Sequence, residues 1–333
     1  MRKSKIINSL LLVISIVVLY ILNRYELVGA YYLQIAQYIG IYSIMVLGIN
    51  LINGYLGIFS LGHAGIMAVG AYSSALLSKY IFTDPLMFPL CIFLGGIFAL
   101  LAGFLISIPS FKVRGDYLAI ITLGFTLIMR SVLQNIEFIG GSRGLRNIPA
   151  YTNVVWVFVW LVSAIILIKL FINSKYGRSI LAVREDEVAA ELVSVNVKKT
   201  KMVVFGFSSF LIGISGGLFS HLLSFTNPNT FGYVMVSEGL IMVYLGGIAS
   251  ITGSILGATV WSLLVEFLRP LGVWRWIIGA ILLIIVMIYR PKGLAGGAEL
   301  SLKNISPFLA GLSKNKTKVS RAGVEPSNDR GEK

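Results

Sequence analysis

Charge is what this sequence has least of. Only 13% of its 333 residues are Asp, Glu, Lys or Arg, against the ~25% usual in a soluble domain. Hydrophobic residues make up 56%, and the mean hydropathy is +0.85. Such a chain has too few charged groups to cover a globular surface in water, so lipid is the expected solvent for most of it. Cysteine is nearly absent as well. The single Cys91 excludes an internal disulfide and a thiolate metal site, and within its apolar run it reads as a small buried hydrophobe. Two histidines and one cysteine make no convincing metal site. There is no G-x-x-x-x-G-K-[ST] loop, so no nucleotide is expected on this chain. No catalytic constellation is visible, and no cofactor is expected.

What the chain does have is long apolar runs. A helix needs ~20 mostly apolar residues to cross ~30 Å of hydrocarbon. Candidate spans are 6–22, 31–52, 57–79, 86–109, 116–135, 154–172, 202–224, 235–250, 254–268 and 274–290. They predict an all-α polytopic membrane protein with about ten transmembrane helices, or eight to ten, because the eighth and ninth runs are short enough to be half-helices. The first run follows Arg2, Lys3 and Lys5 and is longer than a signal-peptide core, so an uncleaved first helix is expected. Residues 1–301 form one transmembrane domain in this reading, and the polar stretch 302–333 a mobile cytoplasmic tail.

The net charge of +14 does not point to nucleic acid, because the basic residues lie in short loops and tails with no basic stripe among aromatics. They report orientation instead. With a cytoplasmic N-terminus and ten alternating helices, 20 of the 28 Lys and Arg fall on the inside and 6 on the outside, which is the asymmetry expected of cytoplasmic loops. Both termini are then cytoplasmic.

The longest internal polar segment, Asn173 to Lys201, is also cytoplasmic in this topology. Within it Leu181, Val188, Leu192 and Val195 recur at helical spacing, with Arg184, Glu185, Asp186, Glu187 and Glu191 between them. A short amphipathic helix over about 178–193 is expected. Periodicity alone leaves two roles open, a connecting loop resting on the membrane domain or a docking element for a soluble partner.

Small residues are the remaining pattern. Gly213 and Gly217, and Gly253 and Gly257, form G-x-x-x-G pairs that read as helix-packing positions. Gly54, Gly57, Gly62, Gly65 and Gly70 cluster more densely, and predict an interrupted helix of the kind that exposes backbone to a substrate. Ser60, Gly62, His63, Tyr117 and Thr122 are the candidates for a polar translocation lining; for His63 a structural place is the commoner role. Glu266 stands three residues before Arg269, and ion pairing or an interfacial position is expected for both Glu266 and Glu238.

Four blocks carry a resemblance. They are Asn53–Tyr72; Arg114-Gly-Asp-Tyr-Leu-Ala-Ile-Ile-Thr-Leu-Gly-Phe125 with Gly140-Gly-Ser-Arg-Gly-Leu145; Gly177–Ala190; and Asn227-Pro228, Ser237 and Leu245–Ala258, with Arg290-Pro-Lys-Gly-Leu294 closing. Together they resemble the LivM-type permease subunits of bacterial branched-chain amino acid ABC importers, from about Ile41 to Gly296. Ser194 departs from the family's usual Gly, and Ser142-Arg143 from the commoner Pro-Asn. The resemblance implies an importer permease fold in the bacterial plasma membrane that translocates Leu, Ile and Val by alternating access. It implies a second, LivH-type permease, two cytoplasmic ATPase subunits that hold ATP and Mg, and an extracytoplasmic amino-acid-binding protein. It makes Gly177, Arg178, Arg184, Glu185, Asp186, Ala189 and Ala190 the ATPase-coupling residues. Another small polar solute such as urea fits the same fold, and a stand-alone secondary transporter is the competing class, though it needs intramembrane acids that are scarce here.

Overall fold

A computed structural model describes residues 29–110, 117–290 and 293–295. The expected first span, Lys112, Arg114 and Asp116, Pro291 and Lys292, and the tail 302–333 lie outside the described residues. Eleven α-helices occur among the described residues: α1 (Ala30–Asn50), α2 (His63–Leu76), α3 (Phe88–Ser110), α4 (Tyr117–Asn135), α5 (Val154–Ile172), α6 (Lys175–Glu185), α7 (Glu187–Leu192), α8 (Val197–Leu223), α9 (Tyr233–Gly246), α10 (Ile251–Phe267) and α11 (Trp274–Tyr289). Two-residue strands β1 (Leu145–Arg146) and β2 (Phe225–Thr226) pair antiparallel at one end. Five helical segments, Ala30–Tyr55, Pro85–Pro109, α4, α5 and α8, are long and apolar enough to cross a membrane, and α9, α10 and α11 are shorter apolar helices. The protein is therefore a polytopic α-helical membrane protein.

Burial sorts these helices. In the most apolar window of α8, 78% of residues are buried inside the protein, against 17% in α5. Since lipid is as apolar as a leucine side chain, hydrophobicity cannot decide which helix is central; close packing does. The central helix α8 carries Gly206, Gly213, Gly216 and Gly217 and packs on α1, α2 and α3. A Cβ added at Gly217 would lie 2.9 Å from Ile92 Cδ1 and 3.0 Å from Ser74 Oγ. One added at Gly213 would lie 3.1 Å from Gly96 Cα and collide with Ala99. Serine hydroxyls add hydrogen bonds where the backbones come close: Ser208 Oγ donates to Gly48 O at 2.6 Å. The glycine positions that weaken an isolated helix by ~1 kcal/mol each are the positions where this bundle closes.

The chain leaves helical geometry twice near one end of the bundle. After α1 it passes through a π-helical turn (Leu51–Tyr55) into an irregular stretch, 56–62, before α2 begins. The span expected over 57–79 thus starts only at His63. Gly57 has φ +74°, a left-handed conformation with little cost to glycine. Between α9 and α10 the chain breaks again at 247–250, where Gly247 has φ +127° and Ala249 φ +56°. Ser250 then caps α10, its Oγ accepting from Gly253 N at 3.0 Å.

The same end carries the polar elbow. The single helix expected over 178–193 is instead two, α6 and α7, meeting at Asp186. Asp186 is extended (φ −158°), and its Oδ1 accepts from Val188 N at 2.8 Å and Ala189 N at 3.1 Å. An aspartate gains more by capping a new helix than by sitting inside one, so the helical stripe is divided rather than continuous.

Candidate functional site

The break at 56–62 is held by three side chains from neighbouring helical turns. Ser60 N donates to Asn53 Oδ1 at 3.2 Å, and Asn53 Nδ2 donates to Ser60 O at 3.4 Å. Leu61 N donates to Thr122 Oγ1 at 2.9 Å, and Thr126 Oγ1 donates to Leu61 O at 3.1 Å. Backbone groups freed from a helix at membrane depth require such partners, because lipid supplies none. Ser60, Gly62 and Thr122 are therefore gathered at one place: Ser60 Oγ accepts from Gly62 N at 3.4 Å, and a Cβ at Gly62 would lie 3.3 Å from Thr122 Cβ. His63 follows directly, buried, with Nε2 3.1 Å from Val236 O, which ties α2 to α9. Tyr117 does not join them; it is 70% exposed at the start of α4.

Asn50, one turn before Asn53, secures the second break. Its Nδ2 donates to Ser250 O at 3.0 Å, Ser254 Oγ at 2.7 Å and Gly247 O at 3.3 Å, and its Oδ1 accepts from Ala249 N at 2.8 Å. Residues 293–295 close the other side, with Leu294 N donating to Leu245 O at 2.9 Å and Ala295 N to Gly246 O at 3.1 Å. Gly253 and Gly257 face this junction: a Cβ at Gly253 would lie 2.9 Å from Gly246 O, and one at Gly257 2.8 Å from Gly246 N. Sequence reasoning singled out the glycines and missed both asparagines. The available signal was an amide side chain inside an apolar run immediately before a glycine cluster, since a polar group at that depth needs a reason.

The elbow meets the first break. A Cβ added at Gly57 would lie 3.0 Å from Arg184 Cγ, so the end of α6 covers the point where the chain leaves α1. Gly177 lets α6 fold back on α5, because any Cβ there would collide with the Ile172 backbone. Ile180, Val183 and Ala190 are buried against the membrane helices. Arg178, Arg184, Glu185, Asp186 and Ala189 are exposed, as are Val188, Leu192 and Val193, Leu192 by 83%. Lys201, buried at the start of α8, pairs with Glu187 at 2.5 Å and pins α7 to the bundle. The elbow thus has one face fixed to the bundle and another, apolar and charged together, left open. Ser194 ends α7 in a left-handed conformation (φ +63°), the backbone state that glycine adopts most easily.

The opposite end of the bundle holds the remaining intramembrane acids. Glu266 pairs with Arg269 at 3.1 Å and accepts from Tyr31 OH at 2.6 Å. Of the two places expected for Glu238, the ion pair is not formed: among the described residues no hydrogen bond or ion pair reaches it, and it faces a cavity. Arg130 donates to Asn229 Oδ1 at 2.6 Å and joins α4 to the loop before α9.

Comparison with known proteins agrees with this architecture. Residues 31–288 match the model of the family described as branched-chain amino acid transport system, permease component. The chain is 32% identical to the high-affinity branched-chain amino acid transport system permease protein LivM of Escherichia coli K12, over 81% of this chain and 72% of that protein. It is 31% identical to LivM of Salmonella typhimurium, over 90% of this chain and 77% of the relative. A probable LivM of Methanocaldococcus jannaschii is 26% identical over 78% of this chain and 92% of its own length. No solved structure matches the chain significantly.

Proposed function

We propose, from the premise that this chain belongs to the branched-chain amino acid transport permease family, that it is the membrane-spanning permease subunit of an ATP-driven importer of leucine, isoleucine and valine. The chain moves the solute by alternating access and catalyses no reaction itself. ATP and Mg are held by two cytoplasmic ATPase subunits, a second LivH-type permease completes the membrane pore, and an extracytoplasmic binding protein delivers the amino acid. Both termini and the elbow face the cytosol of a bacterial cell, residues 1–301 form the permease domain, and 302–333 form a cytoplasmic tail.

The observation that carries the coupling mechanism is the contact between Arg184 and Gly57. The open face of α6 and α7 offers exposed apolar residues ringed by charge, which suits a groove on a soluble partner. The covered face is buried in the bundle, and Arg184 lies against Gly57 in the irregular stretch that also contains Ser60 and Gly62 and abuts Thr122 and His63. A push on the elbow is delivered to a segment whose backbone is held by side chains rather than by a continuous helix, the kind of hinge that switching transitions use. Arg178, Glu185, Asp186 and Ala189 make the grip; Gly177 and Ala190 set its close fit; Arg184 passes the movement inward.

The test is radiolabelled leucine uptake by the complete transporter with the elbow residues 178–193 replaced by a flexible linker of equal length. The account expects the ATPase subunits no longer to co-purify and uptake to fall to background. Uptake and assembly at the wild-type level would refute the coupling role.

A further inference from the structure

At the end of the bundle away from the elbow, helices α1, α8, α9, α10 and α11 converge on a cavity of about 370 Å³, a size typical of small-molecule sites. Its lining includes the aromatic residues Tyr38, Tyr42, Phe219, Trp261 and Trp276 and four charged residues, Glu238, Glu266, Arg269 and Arg275. Two of these satisfy each other, since Glu266 and Arg269 form the ion pair at the rim. The other two do not. Glu238, half-buried, is reached by neither a hydrogen bond nor an ion pair among the described residues. Arg275 Nε is buried without a hydrogen-bond partner, and its guanidinium lies 5.0 Å from the Trp276 ring centre. Ser262, which also lines the cavity, has a buried and unpartnered Oγ.

Glu238 and Arg275 feel each other's charge without closing to an ion pair, and a charged group without a close partner in an apolar bundle is costly and marks a site. Ion pairing between Glu238 and Arg275 would remove both costs; they line the same cavity yet stand beyond ion-pair distance of each other. What completes the site is one small body with a cation at one point, an anion at another and an apolar remainder. We infer that the cavity binds the zwitterion of a free α-amino acid, with the ammonium on Glu238, the carboxylate on Arg275 and Ser262, and the aliphatic side chain among the aromatic residues of the lining. The inference rests on the substrate class proposed above and locates where that substrate is met, at the end of the bundle opposite the motor.

The experiment is photo-labelling of the complete transporter in proteoliposomes with photo-leucine, whose side chain carries a diazirine, followed by mapping of the adducts. Adducts are expected on peptides containing Tyr38, Trp261 or Trp276, displaced by excess leucine. Glu238→Gln and Arg275→Gln are each expected to reduce labelling about tenfold, the scale of losing one charge-assisted contact, with assembly unchanged. Adducts confined to other regions, while the wild-type transporter still takes up leucine, would overturn the cavity assignment and leave the importer function standing. Adducts that leucine does not displace would overturn it as well. Loss of the second permease from the Glu238→Gln or Arg275→Gln complex would reassign the two charges to a subunit contact. A wild-type transporter that takes up no leucine would instead remove the substrate reading on which the site depends.

Discussion

The two breaks in this bundle are built from the same parts and finished differently. Each is held by an asparagine, Asn50 at the end of α1 or Asn53 in the π-helical turn after it, each contains a residue with positive φ, and each leads into a new helix rich in small residues. At 247–250 the break is enclosed: Asn50 alone makes four hydrogen bonds to it or its helix, and residues 293–295 cover the other side. At 56–62 Asn53 makes two longer bonds, Thr122 and Thr126 each bond Leu61, Gly57 and Phe59 are exposed, and the side chain of Arg184 lies against Gly57. The first is a fixed joint, and the second is a joint that an outside element touches. The difference is one of exposure: both breaks draw their hydrogen bonds from bundle helices, and the second is touched as well by the elbow proposed above to carry the push of a motor.

This contrast is open to breakage by substitution. The largest effect is expected at Asn50. Asn50→Leu leaves several buried polar groups without partners, each costing about 1–3 kcal/mol, so the purified protein should lose most of its thermal stability, read as a fall in the detergent melting temperature. Asn53→Leu, removing two weaker bonds, should destabilise by only about 1 kcal/mol. Equal losses from the two would erase the distinction between a fixed and a yielding joint.

Gly57→Val comes next. A branched side chain in a left-handed conformation costs roughly 1–2 kcal/mol, and its Cβ would press on Arg184. Leucine uptake should fall at least about tenfold, a change equal to ~1.4 kcal/mol, while the amount of assembled transporter stays near normal. A matching loss of assembly would make Gly57 a folding residue only. Thr122→Val removes the acceptor for Leu61 N and should cost about 1 kcal/mol, measured by denaturation of the solubilised protein. The smallest effect is expected at Ser194→Gly, which relieves a left-handed serine and should raise stability by no more than about 1 kcal/mol; a decrease would show that the serine side chain stabilises the end of α7.

Much of the fold was legible because hydropathy marks the segments that lipid must surround. The run 154–172 is α5 to the residue, and 116–135 and 274–290 match α4 and α11 within one residue at each end. Burial was not legible, because α5 and α8 are both apolar and only small-residue spacing separates a peripheral helix from a central one. The elbow was foreseen as a unit, but its division at Asp186 was not: periodicity continues across the cap, and the capping signal, an aspartate followed by Glu187 in the first turn, was outweighed by the apolar stripe. Ser60, Gly62 and Thr122 were picked out separately for their polarity or small size and lie together. Tyr117 was picked on the same ground and lies apart, because polarity in a sequence carries no information about which neighbours a side chain meets. For Glu238 an ion pair or an interfacial position was expected; it faces a cavity shared with Arg275, a charge on a helix too far along the chain for any local pattern to link them.

The claim beneath the whole account is that the elbow is cytosolic and gripped there. With Cys91→Ser as background the chain has no other thiol, so Glu185→Cys gives one reporter on the elbow. Labelling with a membrane-impermeant maleimide should fail in intact cells, succeed in inside-out vesicles stripped of the ATPase subunits, and be shielded when those subunits are restored. Labelling from outside intact cells would contradict it.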